Sequence, residues 1–384
     1  MAGIYIHVPF CRQRCLYCDF FSTTQLRQHK EDYLSAISRE MELRRNYLGG
    51  ETIQTLYLGG GTPSLLAAAD LERLFKTLDH IFPIAHDAEV TMEANPDDLT
   101  PAYLRTLRAL PVNRLSIGIQ SFDDEELRFL HRRHDSRRAI EALEACREAG
   151  FENLSIDLIF GLPGQALARW ASNLKEALRL DVPHISAYGL TYEKHTTLYR
   201  LLQAGRLQAV DEALFLEMFS LLMERMETAG YEHYEISNFA RPGRRSRHNS
   251  SYWTGDKYLG LGPAAHSYDG GSRQWNVSAL LPYLSGMAEA KPVFEKEILT
   301  PQSLYNDYVL TRLRRCEGIS PTDLVIRFGK GALSYCMEQA APYLKRGLLT
   351  EKGGTLHLTR EGIFLADEVI SDLLWLDSAT KPEV

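Results

Sequence analysis

Two hydrophobic periods alternate along the chain. Short runs rich in β-branched and aromatic residues recur at residues 3–7, 55–58, 88–93, 114–119, 153–159 and 184–187, and their composition predicts strands. Between them apolar residues fall at helical spacing, as in Tyr33, Leu34, Ile37 and Met41, or Ala139, Ile140, Leu143, Cys146 and Ala149. These stretches predict amphipathic helices, the second stopped by Gly150. Strand then helix, six times within about 190 residues, predicts a parallel sheet with helical crossovers, too short for eight units. The expected fold is α/β, a partial (β/α)6 barrel of the TIM type.

Beyond the sixth unit the pattern changes. Residues 207–229 predict one long amphipathic helix. Residues 231–276 are dense in Gly, Ser, Asn and aromatics, and RPGRRSRHNSSYW and YLGLGPAAHSY show little periodicity. That stretch reads as an ordered functional segment. After Leu299, helices are expected at 301–314, 321–328 and 332–346, then a hairpin over 348–358 turning at Gly353-Gly354 and a last helix over 360–374. Three helices and a hairpin resemble a small winged-helix-like α+β unit. The expected division is 1–235 for the barrel, 236–298 for a linking segment carrying RHNSSYW, and 299–384 for the C-terminal domain.

Charge and composition narrow the class. With 384 residues the chain can bury a large core. Its 43 Lys and Arg against 50 Asp and Glu give a net charge of -7, spread along the chain, which disfavours a nucleic-acid partner. No window approaches the roughly 18 uninterrupted apolar residues of a spanning helix, and the amino terminus lacks a leader pattern, so a cytoplasmic protein that is not integral to a membrane is expected. Three of the six cysteines fall within eight positions while Cys146, Cys316 and Cys336 are scattered. This is not a disulfide framework.

Cys11, Cys15 and Cys18, spaced C-x3-C-x2-C, follow the first predicted strand at the end of a parallel barrel where active-site loops lie. Three thiolates can hold three irons of a cubane and leave the fourth open to a chelating substrate, whereas an electron-transfer cluster fills all four positions with Cys. Spacing alone leaves two other readings: a structural zinc with His7 or Asp19 as fourth ligand, or three unrelated thiols.

The surrounding stretch, YIHVPFCRQRCLYCDF, resembles the radical S-adenosylmethionine superfamily, and within it the branch of oxygen-independent coproporphyrinogen dehydrogenase (HemN) and the haem chaperone HemW. YLGGGTPSLL at 57–66, EVTMEANP at 89–96, RLSIGIQSF at 114–122, SIDLIFGLPGQ at 155–165 and HISAYGLTYE at 184–193 follow in the family's order. The resemblance runs from about residue 3 to the carboxyl terminus and implies a [4Fe-4S] cluster on Cys11, Cys15 and Cys18 with S-adenosylmethionine beside it. In that superfamily one electron from the reduced cluster cleaves the sulfonium to methionine and a 5'-deoxyadenosyl radical.

The resemblance also implies cofactor-binding roles. Gly60, Gly61 and Thr62 follow a strand, and glycines there let backbone approach the methionyl end closely; a plain tight turn is the alternative. Glu93, Gln120 and Asp157 stand at or near strand ends, where polar groups need partners, and with Arg132 they match residues that contact the cofactor. For Glu93 the alternative is a helix cap, and for Arg132 a solvated helix face. Tyr5 and Tyr17 match positions that lean on the cofactor, though isolated tyrosines are commonly core or rim.

Within the branch, HemN resembles C-x3-C-x2-C-x-C, but here Phe20 stands at the last position, and only ten residues precede Cys11. Both departures argue against decarboxylation of coproporphyrinogen III propionates to vinyls, the alternative function. His248-Asn249-Ser250-Ser251-Tyr252-Trp253 matches the H-N-x-x-Y-W pattern of the HemW branch. The resemblance implies a chaperone that binds haem and delivers it to apo-haemoproteins, membrane-associated ones among them, with an electron donor, and that binds S-adenosylmethionine or cleaves it slowly. Imidazole is a common haem ligand, so His248 is the expected axial residue, with Tyr252 and Trp253 as flat apolar surface and Arg241, Arg244, Arg245 and Arg247 for propionates. His266 is the next candidate. The alternatives are a hydrogen-bonded His248, core aromatics and a solvated arginine loop. A zinc-stapled binding module is the third class of function.

Overall fold

The computed structural model describes residues 1–376. The expected C-terminal unit ends at 384, so its residues 377–384 lie outside the described residues. Six parallel strands open the chain, the first five each followed by helix. The order is β1 (Ala2–Val8) and α1 (Leu26–Leu43), β2 (Ile53–Gly60) and α2 (Ala68–Ile81), and β3 (Ile84–Ala94) and α3 (Pro101–Arg108). Then come β4 (Arg114–Gln120) with α4 (Asp124–Phe129) and α5 (Ser136–Glu148), β5 (Asn153–Phe160) with α6 (Leu167–Arg179), and β6 (His184–Gly189). Neighbouring strands pair in parallel in chain order.

Alternation along β1 shows how the sequence builds the wall. Ile4, Ile6 and Val8 are fully buried towards the helices, where Tyr33, Leu34, Ile37 and Met41 of α1 meet them. Burial of each such side chain is worth about 1.5–3 kcal/mol. Gly3, Tyr5 and His7, one position out of phase, face the other side. The same phase puts Thr55 and Tyr57 of β2, Thr91 and Glu93 of β3, and Ser155 and Asp157 of β5 on the interior.

After the barrel come α7 (Thr197–Gln203), α8 (Glu212–Thr228), β7 (Glu232–Glu235), β8 (Asn238–Ala240), α9 (Arg247–Thr254), β9 (Lys257–Leu261), β10 (His266–Tyr268), β11 (Ser272–Asn276), α10 (Leu280–Ala288) and β12 (Phe294–Ile298). The long helix expected from residue 207 starts at Glu212, because Asp211 caps it through Leu214 N. The segment read as aperiodic extends the same sheet, whose order is β12-β11-β10-β9-β1-β2-β3-β4-β5-β6-β8-β7. Strand β9 runs parallel to β1. Strands β8 to β12 of residues 236–298 thus extend the barrel's sheet. They are three to five residues long, too short for a period to show.

One buried carboxylate secures this extension. Glu40 of α1 accepts from Tyr283 OH at 2.8 Å, Asn276 Nδ2 at 2.7 Å and Gly262 N at 2.8 Å. Arg44 one turn on donates to Gly260 O, Ser267 Oγ and Gln274 Oε1. Both polar groups are buried with partners, as burial demands.

The C-terminal unit has its own core around Tyr305, Leu324, Tyr343 and Val369. It comprises α11 (Pro301–Leu313), α12 (Pro321–Arg346), the hairpin β13 (Leu349–Lys352) and β14 (Thr355–Leu358), α13 (Arg360–Phe364) and α14 (Ala366–Leu373). The two helices expected at 321–328 and 332–346 form α12, broken at Gly329 with φ 85°. The hairpin turns at Gly353 and Gly354, both at positive φ. The single final helix expected over 360–374 is two short ones. Among the described residues, no helix is long and apolar enough to cross a membrane.

Candidate functional site

The loop after β1 is tied at its base, with Cys11 N donating to Thr23 O at 2.9 Å and Thr23 N to Pro9 O at 2.7 Å. It carries Cys11, Cys15 and Cys18, all half-exposed. Thr62 Oγ1 lies 3.6 Å from Cys11 Sγ, and Arg132 Nη1 lies 3.4 Å from Cys15 Sγ. Burial pushes the Cys11 thiol up, and burial together with the neighbouring sulfurs pushes Cys18 up to about 11. Among the described residues no three His, Cys, Asp or Glu side chains are already closed into a metal site. The chemistry of the donor set nevertheless fits a cluster: three thiols on one loop, beside a guanidinium and a hydroxyl. Metal coordination would supply the charge that deprotonates them.

The glycine run gains a physical reason. A Cβ on Gly59 would sit 2.9 Å from Glu93 Oε1, one on Gly60 2.5 Å from the His7 ring, and one on Gly61 2.7 Å from Phe10 O. Gly60 also has φ 103°. The run therefore clears room for His7, Glu93 and the cysteine loop. His7 Nε2 pairs with Phe21 O at 2.8 Å and Nδ1 with Tyr5 OH at 3.1 Å; both nitrogens are used, and burial lowers its pKa.

Glu93 accepts from Tyr57 OH at 2.8 Å and Gly60 N at 3.1 Å. Burial, then the Asp157 charge, raises its pKa to about 7. Asp157 is raised to about 6 by burial, opposed first by Arg114. Two buried acids with raised pKa values favour a cationic group bound beside them, as the methionyl ammonium of S-adenosylmethionine is.

Gln120 sits at the end of β4 with φ 72°, an uncommon conformation for a side-chain-bearing residue. Arg132 donates to Gly118 O at 2.5 Å, and its Nε is buried without a partner. Arg114 Nε and Nη1 and Thr91 Oγ1 are also buried without partners. Unspent buried donors fit a bound polar ligand. Arg114 is a residue the sequence reading missed, because an Arg opening a strand reads as surface. Tyr17 packs against Leu130, Ile159 and Leu162 below the loop, and burial raises its pKa. Phe20 is 65% exposed at the loop's rim.

The RHNSSYW segment forms α9, plugged into the barrel floor. Glu89 of β3 accepts from Arg247 N at 3.0 Å and His248 N at 2.9 Å, a carboxylate at a helix amino terminus. His248 is 0% exposed. Its Nδ1 pairs with Thr55 Oγ1 at 2.8 Å and its Nε2 with Tyr252 OH at 2.8 Å. Gly3 allows this approach, since a Cβ there would meet Thr55 Oγ1 at 2.7 Å. Burial and then the Arg114 charge lower the pKa of His248 to about 3. In this fold both ring nitrogens of His248 are already hydrogen-bonded and the ring is buried, so an iron ligand at His248 requires one of these bonds to open. No spacing signal gives that away, because its partners come from β2 and from one turn further along α9.

The arginines expected for propionates diverge. Arg241 pairs with Asp181 at 2.6 Å, and Arg247 reaches Asp87 O at 2.8 Å. Arg244 is exposed, within 4.0 Å of Glu152. Arg245 bonds Glu232 at 3.0 Å and Glu317 at 2.6 Å and approaches Cys316 Sγ at 3.5 Å. Trp253 lies under Arg314, 6.0 Å from ring centre to guanidinium. His266 is exposed on β10 and stacks against Trp275.

Residues 5–184 match the model of the radical SAM superfamily and residues 299–365 that of the HemN C-terminal domain. The chain is 35% identical to the haem chaperone HemW of Bacillus subtilis over 97% of this chain and 99% of the relative. It is 38% identical to HemW of Mycobacterium tuberculosis over 97% and 94%. The solved structure of Escherichia coli coproporphyrinogen III oxidase, HemN, a radical SAM enzyme, superposes with a TM-score of 0.85 at 25% identity, covering 97% of this chain and 90% of that one. The chain belongs to the radical SAM superfamily and, within it, to the family of the haem chaperone HemW.

Proposed function

We propose that the chain is a haem chaperone, binding haem and delivering it to apo-haemoproteins in the cytoplasm or at a membrane surface. In this reading Cys11, Cys15 and Cys18 hold a [4Fe-4S] cluster, and Tyr5, Tyr17, Gly60, Gly61, Thr62, Glu93, Gln120, Arg132 and Asp157 hold S-adenosylmethionine. A cluster held on these cysteines would supply the single-electron reduction of the sulfonium, with the electron coming from a separate donor. The chain's own part is positional. Glu93 and Asp157 balance a cationic ligand, Arg132 braces the cysteine loop, and Gly60 and Gly61 keep the approach clear.

The observation that carries the chaperone reading is α9. The helix that marks the HemW branch is built into the barrel floor through Glu89 and Thr55, so the signature is a structural commitment of the chain. Phe20, exposed where the dehydrogenase pattern has cysteine, disfavours porphyrinogen decarboxylation. Anaerobic reconstitution with iron and sulfide, followed by separate assays, tests the reading. Haem is expected to bind near one per chain, with no conversion of coproporphyrinogen III and slow cleavage of S-adenosylmethionine at most. Robust protoporphyrinogen formation would move the assignment to the dehydrogenase.

A further inference from the structure

A groove of about 570 Å³ lies between the β7–β8 corner and the C-terminal hairpin, within the size range of small-molecule sites. Its apolar wall comes from Ile236, Leu313, Leu358 and Ile363, and its cations from Arg314, Arg315 and Lys352. The wall between the two parts is a rung of main-chain pairing. Glu235 bridges Arg315, Ile236 N donates to Arg314 O at 3.2 Å, and Cys316 N donates to Tyr234 O at 3.1 Å. Cys316 is therefore held on a fixed rung, with its residue exposed on the groove.

Among the groove's candidate iron ligands His233, Cys316 and His357, the cysteine is the exposed one. His233 has Nε2 on Ile236 O at 3.0 Å and its ring stacked on Phe239 with centroids 4.3 Å apart. His357 has Nε2 on Thr355 Oγ1 and is partly buried, while its Nδ1 lies beside Gly318, which carries no side chain to fill that space. Cys316 Sγ lies 3.5 Å from the Arg245 guanidinium, a neighbour that favours thiolate, opposing burial and the adjacent Glu317 carboxylate, which hold the thiol up. Arg315, with its side chain 11% exposed, forms an ion pair with Glu317 at 3.0 Å and keeps Nη1 buried without a partner.

We propose that this groove is the haem seat, with Cys316 Sγ as the iron ligand, Arg315 and Lys352 meeting the propionates, and the apolar wall taking the ring. The proposal rests on the haem-chaperone reading above and assigns that reading a place. A flat apolar ring with two carboxylates and a thiophilic iron matches an apolar wall, the Arg315 and Lys352 cations and a thiol better than a phosphate ester or an acidic peptide, neither of which uses the sulfur. On ligation the thiol proton passes to solvent and the iron keeps its oxidation state. The rim residues Thr350, Lys352 and Gly353 are exposed, so haem seated here remains open to an acceptor. The HemW signature then acts at a distance: Arg245, just before α9, steadies Cys316, and Trp253 backs Arg314.

The test is a ferric-haem titration of the full reconstituted chain, read by the Soret band, by electron resonance and by affinity, with iron content and S-adenosylmethionine binding as controls for folding. Cys316→Ser is expected to abolish the thiolate signature and weaken binding at least about tenfold. Thr350→Trp, on an exposed strand position, is expected to fill the groove and weaken binding by a similar factor. Arg315→Gln with Lys352→Gln is expected to weaken haem but not its dimethyl ester. If wild type binds haem while Cys316→Ser and Thr350→Trp match it in spectrum and affinity, the groove assignment is wrong and the chaperone reading stands. A wild-type chain that binds no haem removes both.

Discussion

The His248 ring lies against the Tyr57 ring with centroids 5.1 Å apart and planes 27° from parallel. Tyr57 in turn donates to Glu93. The signature helix α9 and the carboxylate assigned to S-adenosylmethionine are thus two ends of one packed contact inside the barrel, and a change at either end reaches the other.

His248→Ala should act first on stability. It leaves Thr55 Oγ1 and Tyr252 OH without partners and opens space under Tyr57, at about 1–3 kcal/mol for each orphaned group. Thermal unfolding should show a clear loss while the haem spectrum of the surviving folded fraction is unchanged. A changed axial-ligand spectrum would restore His248 as the iron ligand.

Acid should weaken the fold through the same residue. A histidine whose folded pKa is lowered to about 3 is neutral in the native state while the unfolded chain binds its proton near 6.5. Its contribution is full above about pH 6.5 and is lost as pH falls towards 3, at up to about 1.4 kcal/mol per pH unit. His134, lowered to about 3 mainly by burial, titrates in the same window, so the comparison that isolates His248 is the variant His248→Gln. Its denaturant midpoint should fall less steeply with acid than that of wild type, and equal slopes would contradict the assignment.

At the cofactor end the sign reverses. Glu93 and Asp157 have folded pKa values raised to about 7 and about 6, so their protonated forms are favoured in the fold. Stability from that preference is full below about pH 4 and is lost as pH rises through 6 and 7. A cation bound beside them needs them ionised. S-adenosylmethionine affinity should therefore rise between pH 6 and pH 8, and Glu93→Gln should both weaken it and stabilise the unliganded chain at pH 8. Equilibrium binding that is flat with pH would count against a role for these acids.

Replacing any of Cys11, Cys15 or Cys18 by Ala should abolish the cluster, read as a fall from about four irons per chain and loss of the brown absorption. Cys146, Cys316 and Cys336 should be dispensable for iron. Stoichiometric zinc and no iron after reconstitution would sink the cluster reading.

Gly60→Ala should be worse than its size suggests. Its Cβ would fall 2.5 Å from the His7 ring at φ 103°, so either His7 leaves Phe21 O or the strand end shifts. Binding of S-adenosylmethionine should drop sharply with iron content retained, which a joint measurement of the two would show.

The strand-helix alternation, the six parallel units, the hairpin at Gly353-Gly354 and the order of the family motifs were all legible in the chain, because each is a local pattern: period, breaker, spacing. Three cysteines within eight positions could be found for the same reason. What RHNSSYW does was not legible. A histidine beside two aromatics and several arginines reads the same whether it faces a ligand or the core, and only tertiary packing, which brings Glu89 and Thr55 from distant strands to α9, fixes His248 as a buried neutral ring. The short strands of 232–276 escaped notice because three to five residues carry no period. The groove at Cys316 was invisible too, since its walls come from β7, the link after α11 and the C-terminal hairpin, segments that meet only once the second core has closed against the sheet.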